Sequence, residues 1–96
     1  MASLPATAEL IQQYLAWLAV ERRYSTHTLE AYRHDLLLLT NQLEDLPLTE
    51  LTPPQTRRMI GRLHAKGLSG KSLARVLSAW RGLFRFMARK YEVVLN

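Results

Sequence analysis

The sequence contains no cysteine, which excludes disulfide bonds and cysteine-based metal sites or nucleophiles. A chain without cysteine also suits a reducing compartment. Its longest unbroken aliphatic run, Leu36 to Leu39, is far too short to span a bilayer. The N-terminal stretch lacks the basic start and the apolar core of a signal peptide. We therefore predict a cytoplasmic protein that has no contact with a membrane.

Residue patterns that support catalysis are also scarce. There is no glycine-rich phosphate loop, and nothing in the order of the Ser and His residues specifies a catalytic triad. His27 and His34 lie seven residues apart, without the i, i+4 adjacency of a helical metal site, and no third ligand accompanies them. The sequence thus predicts no metal, no cofactor and no active site within these 96 residues.

Acidic residues are scarce in the second half of the chain only. Up to Thr52 there are three Arg or Lys and seven Asp or Glu, a net charge of −4. From Pro53 onward there are ten Arg or Lys and only Glu92, a net charge of +9. This asymmetry predicts a polyanionic partner on one side of the protein, most commonly nucleic acid. An anionic membrane surface is the competing partner, which we disfavour because the apolar residues of the basic half form a wide stripe suited to a core.

Hydrophobic residues recur with helical spacing, and no segment has the pattern of a strand. Ninety-six residues, of which 48% are hydrophobic, suffice for one domain with a modest core. The sequence predicts an all-α, compact four-helix domain. Its helices are expected at Ala6 to Arg22, after Ser25, at Thr52 to about Lys66, and at Ser69 to Tyr91.

Capping residues mark the ends of these helices. Hydroxyl side chains stand at every predicted N-cap: Thr7, Ser25, Thr52 and Ser69. Gln55 lies three residues after Thr52 and completes the pattern of a capping box. Gly67 is expected to end the third helix in the left-handed conformation. Only two residues then separate Gly67 from the fourth helix, so the last two helices should form a tight hairpin.

The fourth helix has two contrasting faces. Apolar residues on one face are predicted to enter the core: Leu73, Val76, Leu77, Trp80, Leu83, Phe84 and Met87. Cations on the opposite face are Lys71, Arg75, Arg85 and Arg89. In the first two turns, Lys71, Ser72 and Arg75 lie where the free N–H groups and the helix dipole favour phosphate.

The second helix has a similar design. Hydroxyls of Ser25, Thr26 and Thr28 stand at its start, and His27 and His34 lie on its outer face. A helix fits the major groove of B-DNA, and Lys and Arg supply attraction to phosphate. Two such helices in a basic domain predict binding to duplex DNA. The alternative is that these residues only keep the surface solvated.

Two segments resemble the N-terminal core-binding domain of tyrosine recombinases. The pattern S-x-x-T-L-x-x-Y-x-x-D-L is matched by Ser25, Thr28, Leu29, Tyr32, Asp35 and Leu36. The pattern G-L-S-x-x-S-L-A-R-x-L-S-A-x-R is matched from Gly67 to Arg81. The likeness covers nearly the whole chain, and it is greatest to the Xer recombinases, more to XerC than to XerD.

The resemblance implies a SAM-like domain over residues 1–96 that forms one side of a clamp around DNA. The catalytic domain with its nucleophilic tyrosine would lie outside this chain, so none of the tyrosines here is expected to be the nucleophile. Recombinases of this family cut and rejoin DNA through a 3′-phosphotyrosyl link, without metal or nucleotide. Xer proteins resolve chromosome dimers at cell division, as XerC–XerD heterotetramers controlled by the translocase FtsK.

Carried over by position, the DNA-facing residues of the family correspond to Thr28, His27, His34, Lys71, Ser72 and Arg75. Replacing Lys71 and Arg75 together by Ala is expected to lower DNA affinity and leave thermal stability nearly unchanged. Glu30 departs from the pattern because a carboxylate on the outer face suits phosphate poorly, although it could accept from a cytosine amine.

Two questions stay open from the sequence. Arg57, Arg58 and Arg62 could contact the DNA backbone or form a solvated surface. The competing function for the whole domain is a helical protein–protein interaction module whose basic face meets an acidic partner.

Overall fold

A computed structural model describes residues 4–93, which form four α-helices and no strand. The helices are α1 (Thr7–Val20), α2 (Thr26–Leu43), α3 (Pro53–Ala65) and α4 (Gly70–Tyr91), with a single 3₁₀ turn, Leu48–Glu50, before α3. The predicted all-α, four-helix fold is confirmed. Over the same residues, none of the helices combines the length and apolar character needed to cross a membrane.

Most helices begin and end where the capping residues predict. Thr52 and Gln55 form the capping box at the start of α3, and Gly67 follows that helix with a φ of 102°. The prediction for Thr7 is wrong. Thr7 lies within the helix, and Ala6 is the N-cap of α1; it makes no side-chain cap bond because its methyl group has no acceptor.

The core is built around the contact between α2 and α4, the most extensive contact of any two helices here. Its largest fully buried side chains include Leu36 and Leu39 of α2 and Trp80, Leu83 and Met87 of α4. Burying each such side chain stabilises the fold by about 2 kcal/mol relative to leaving it in water. The core therefore fixes how the outer faces of α2 and α4 lie relative to each other.

The buried stripe of α4 is rotated from the predicted one towards α1. Phe86, which the pattern left out, is buried, and its ring lies 5.7 Å from that of Tyr14 on α1. Leu73, Leu77 and Phe84 were predicted to enter the core, but they are only partly buried. Phe86 faces α1, whereas these three side chains line a groove between α3 and α4.

Candidate nucleic-acid interface

The first turns of α2 and α4 are built in the same way. Ser25 caps α2 by accepting from the N–H of Thr28 at 3.2 Å, and the two hydroxyl oxygens are 3.0 Å apart. Ser69 caps α4 by accepting from the N–H of Ser72 at 3.1 Å, and those hydroxyl oxygens are 3.2 Å apart. Neither first turn contains an acidic residue, so nothing there neutralises the positive end of the helix dipole. Thr28 and Ser72 thus lie at termini that favour phosphate.

Arg75 on α4 forms a bidentate ion pair with Asp35 on α2. Its Nε donates to Asp35 Oδ2 at 2.7 Å, and its Nη2 donates to Asp35 Oδ1 at 3.0 Å. The Asp35 side chain is 1% exposed, whereas that of Arg75 is 45% exposed. The hydrogen bonds to Asp35 raise the pKa of Arg75 above its ordinary value. Because a guanidinium has five N–H donors, the pair leaves three of them unused, and two of these share the Nη1–Nη2 edge of Arg75.

Asp35 joins α2 to α4 a second time through its main chain. The carbonyl oxygen of Asp35 accepts from the indole N–H of Trp80 at 2.9 Å. Removing the cation that is hydrogen-bonded to a buried carboxylate destabilises a protein by several kcal/mol. The expectation that removing Arg75 leaves stability nearly unchanged is therefore not supported, because this residue also neutralises a charge inside the protein.

The remaining predicted residues lie at the surface. The side chain of His34 is 68% exposed, and its Nδ1 lies 3.9 Å from Asp35 Oδ1. His34 and Arg75 therefore both lie beside the carboxylate of Asp35. His27 and Lys71 are exposed and make no side-chain hydrogen bond or ion pair with any residue from 4 to 93. Within that range, no hydrogen bond joins the first turn of α2 to α4. No group of three His, Asp or Glu among these residues is placed to hold a metal ion.

Two of the undecided residues make contacts of their own. Glu30 lies 4.0 Å from the Nε of Arg33, and both side chains are more than half exposed, which makes this a weak surface pair. Arg62 donates to the side chain of Gln42 at 3.4 Å and so links α3 to α2. Arg62 is accordingly part of the packing between helices as well as of the basic surface.

Asp35 is the residue whose role the sequence analysis missed. It lies three residues after Tyr32 and four before Leu39, both on the side of α2 that packs into the core. A charged residue on the apolar face of an amphipathic helix indicates a buried charge with a partner. That signal was present in the sequence, but only the structure identifies Arg75 as the partner.

Comparison with known proteins identifies the family. The family described as "Phage integrase, N-terminal SAM-like domain" matches residues 11–91, which include every residue of the candidate interface. The chain belongs to this family. The expected SAM-like class of the four-helix fold is thereby confirmed.

Curated relatives of this family member are tyrosine recombinases. "Tyrosine recombinase XerC" of Ralstonia pickettii is 45% identical over 88 residues, which is 88% of this chain and 27% of that protein. The XerC of Chromobacterium violaceum is 42% identical over 84 residues, covering 88% and 28% respectively. The XerC of Pseudomonas fluorescens is 42% identical over 83 residues, covering 83% and 28%. The chain thus spans little more than a quarter of these relatives, and the resemblance to XerC is confirmed. No solved structure matches the chain.

Proposed function

We propose that this chain is the DNA-binding N-terminal domain of a site-specific tyrosine recombinase of the XerC type. It would contact the double-stranded DNA of a recombination half-site through the outer faces of α2 and α4. The observation that carries the proposal is the ion pair of Arg75. Buried Asp35 fixes its guanidinium by two hydrogen bonds, while the side chain remains 45% exposed and three of its N–H donors take no part in the pair.

Each proposed contact follows from the chemistry of its side chain. The free edge of Arg75 can donate two parallel hydrogen bonds, either to a phosphate or to O6 and N7 of a guanine. Lys71 is an exposed point charge suited to a phosphate. Thr28 and Ser72 lie at helix termini that attract phosphate, and His27 and His34 can donate to phosphate or to base edges.

The proposal extends to the protein in which such a domain works. Strand cutting and rejoining would be carried out by a catalytic domain outside residues 1–96, and those residues would form a single domain without metal or cofactor. The recombinase would act in the cytoplasm with a partner recombinase such as XerD in a heterotetramer. Under control of the translocase FtsK, the assembly would resolve chromosome dimers at cell division. The names of the relatives support the recombinase part of this proposal.

The proposal is tested by the anisotropy of a fluorescent duplex of random sequence, about two turns long, titrated with the 96-residue chain. We expect a dissociation constant on the order of 10 μM at 50 mM salt, and a logarithm of affinity that falls linearly with the logarithm of salt concentration. Absence of binding at about 100 μM protein and 50 mM salt would contradict the proposal. Binding that does not depend on salt would also contradict it, because phosphate contacts release counterions.

A further inference from the structure

A largely apolar groove of about 690 Å³ runs between α3 and α4. Ile60 from α3 contributes to its floor, together with Leu73, Leu77 and Phe84 from α4. These four side chains are partly buried, although the sequence pattern predicts that the three from α4 enter the core. On α4 they extend over about 17 Å, which is the length of three helical turns. The protein thus leaves a continuous strip of large apolar side chains in reach of solvent.

Cations stand at the rim of this groove. Arg57 and Arg81 line it from opposite helices, and both are exposed. Neither makes a hydrogen bond or an ion pair through its side chain with any residue between 4 and 93. His64 adds a third basic side chain, and no acidic residue lines the groove. The groove therefore combines an apolar floor with a positive rim whose charges have no described partner.

We propose that the α3–α4 groove binds the apolar face of an acidic amphipathic helix belonging to a protein partner. A helix that places large apolar residues at i, i+3, i+4 and i+7 presents a strip matching the exposed strip of α4. Glu or Asp residues beside that strip would face Arg57 and Arg81. Charge complementarity of this kind raises the association rate and selects against basic helices. This binding is distinct from the proposed DNA contacts.

The apolar floor argues against nucleic acid as the occupant. Phosphates and sugars gain nothing from Leu73, Leu77 and Phe84, and phosphate would have to lose water to approach them. A small ligand is disfavoured as well, because small-molecule sites usually place a few polar groups inside the cavity. In this groove the charged groups are exposed at the rim, where they can pair with acidic side chains of a partner that is larger than the groove.

The test uses a fluorescent peptide of about 18 residues, long enough to span the groove as a helix. Leu occupies its i, i+3, i+4 and i+7 positions, and Glu occupies most of the others. A matched peptide carries Lys in place of every Glu. We expect the 96-residue chain to bind the Glu peptide at least tenfold more tightly than the Lys peptide, as measured by anisotropy at 50 mM salt.

Two variants locate the binding. Arg57→Glu combined with Arg81→Glu changes only exposed side chains, and it should reverse the preference between the two peptides. Leu77→Ala removes part of the floor, and it should weaken binding of the Glu peptide about fivefold or more. Circular dichroism melting curves identify any variant that has lost its fold, and the charge-reversal pair keeps the test valid if Leu77→Ala does not fold.

Several results would overturn the proposal. One is failure of the Glu peptide to bind, and another is binding that neither variant changes, since the peptide would then occupy another surface. Displacement of the peptide by a short DNA duplex would assign the groove to nucleic acid. Sedimentation equilibrium that shows a dimer of the wild-type chain, lost in Leu77→Ala, would assign it to a second copy of the chain.

Discussion

Asp35 is fully buried, and both of its carboxylate oxygens accept hydrogen bonds from Arg75, whose side chain reaches the surface. The two residues come from α2 and α4, the helices that carry every proposed DNA contact. One end of the pair is therefore part of the core and the other end is part of the surface. This arrangement links the stability of the domain to the orientation of Arg75.

The first prediction concerns stability. Arg75→Ala should lower the free energy of unfolding by about 2–3 kcal/mol, because it leaves a buried carboxylate without its cation. Asp35→Asn should cost less, about 1–2 kcal/mol, because the partly exposed guanidinium can turn to water. The double variant should be more stable than Arg75→Ala alone. Urea unfolding of the three variants measures these values, and additive losses would contradict the proposed coupling.

The second prediction separates positioning from charge in DNA binding. Asp35→Asn makes the domain more positive by one charge, so simple attraction to phosphate would raise affinity. If Asp35 orients Arg75, affinity should instead fall, about threefold to tenfold. Glu30→Gln makes the same change in net charge at an exposed position. Its affinity for DNA should be equal to that of the wild type or slightly higher. Anisotropy titrations with one duplex compare the affinities of the two variants. If both variants changed the affinity equally, net charge alone would explain the effect.

The origin of this pair shows how far the sequence could predict the structure. Helix bounds and most caps depend on local chemistry, as with Thr52 and Gln55, and the bounds predicted for α1, α3 and α4 lie within two residues of those observed. The partner of Asp35 lies 40 residues away in the sequence. That contact depends on how two helices pack, which the period of one helix does not encode. The same reason explains why Leu77 was predicted to lie in the core and instead lines a groove.

The third prediction concerns the first turns of α4. Lys71→Ala should weaken duplex binding about fivefold at 50 mM salt and reduce the steepness of the salt dependence by about one counterion. Lys71→Ala should change the free energy of unfolding by no more than about 0.5 kcal/mol, because the side chain is exposed. Arg85→Ala removes the same charge about four turns further along α4 and serves as the matched control. A larger loss of duplex affinity for Arg85→Ala than for Lys71→Ala would contradict a DNA contact in the first turns of α4.

The fourth prediction concerns the packing of α1 on α4. A Cβ at Gly82 would overlap the hydroxyl of Tyr14 and would lie 2.9 Å from its Cζ. Tyr14 is buried against Phe86 and has little room to move. Gly82→Ala should therefore destabilise the domain by about 1–2 kcal/mol, although Ala is the better helix former.

Gly61 provides the control for this change. It also lies within a helix, but a Cβ there would meet nothing within 4 Å. Gly61→Ala should therefore stabilise the domain, by about 0.5–1 kcal/mol. Thermal unfolding of both variants measures the difference. If the two substitutions changed the melting temperature in the same direction, the close approach of Tyr14 to Gly82 would be wrong.

The fifth prediction concerns alkaline pH. Burial raises the pKa of Tyr14 above its ordinary value near 10, with smaller contributions from Tyr32 and Tyr24. Above about pH 10 the unfolded chain releases this proton while the folded protein keeps it, so ionisation favours unfolding. The stability that the neutral phenol contributes is complete below that pH and is lost as pH rises towards the folded pKa. The free energy of unfolding should fall by up to about 1.4 kcal/mol per pH unit from this group.

Tyr14→Phe removes the ionisable group and keeps the ring that packs on Phe86. Its free energy of unfolding should decline less steeply than that of the wild type between about pH 10 and pH 12, because one proton fewer is released on unfolding. Urea titrations at half-unit steps of pH measure the two slopes. The rest of the sequence is the same in both proteins, so parallel curves would show that Tyr14 is not the buried phenol responsible.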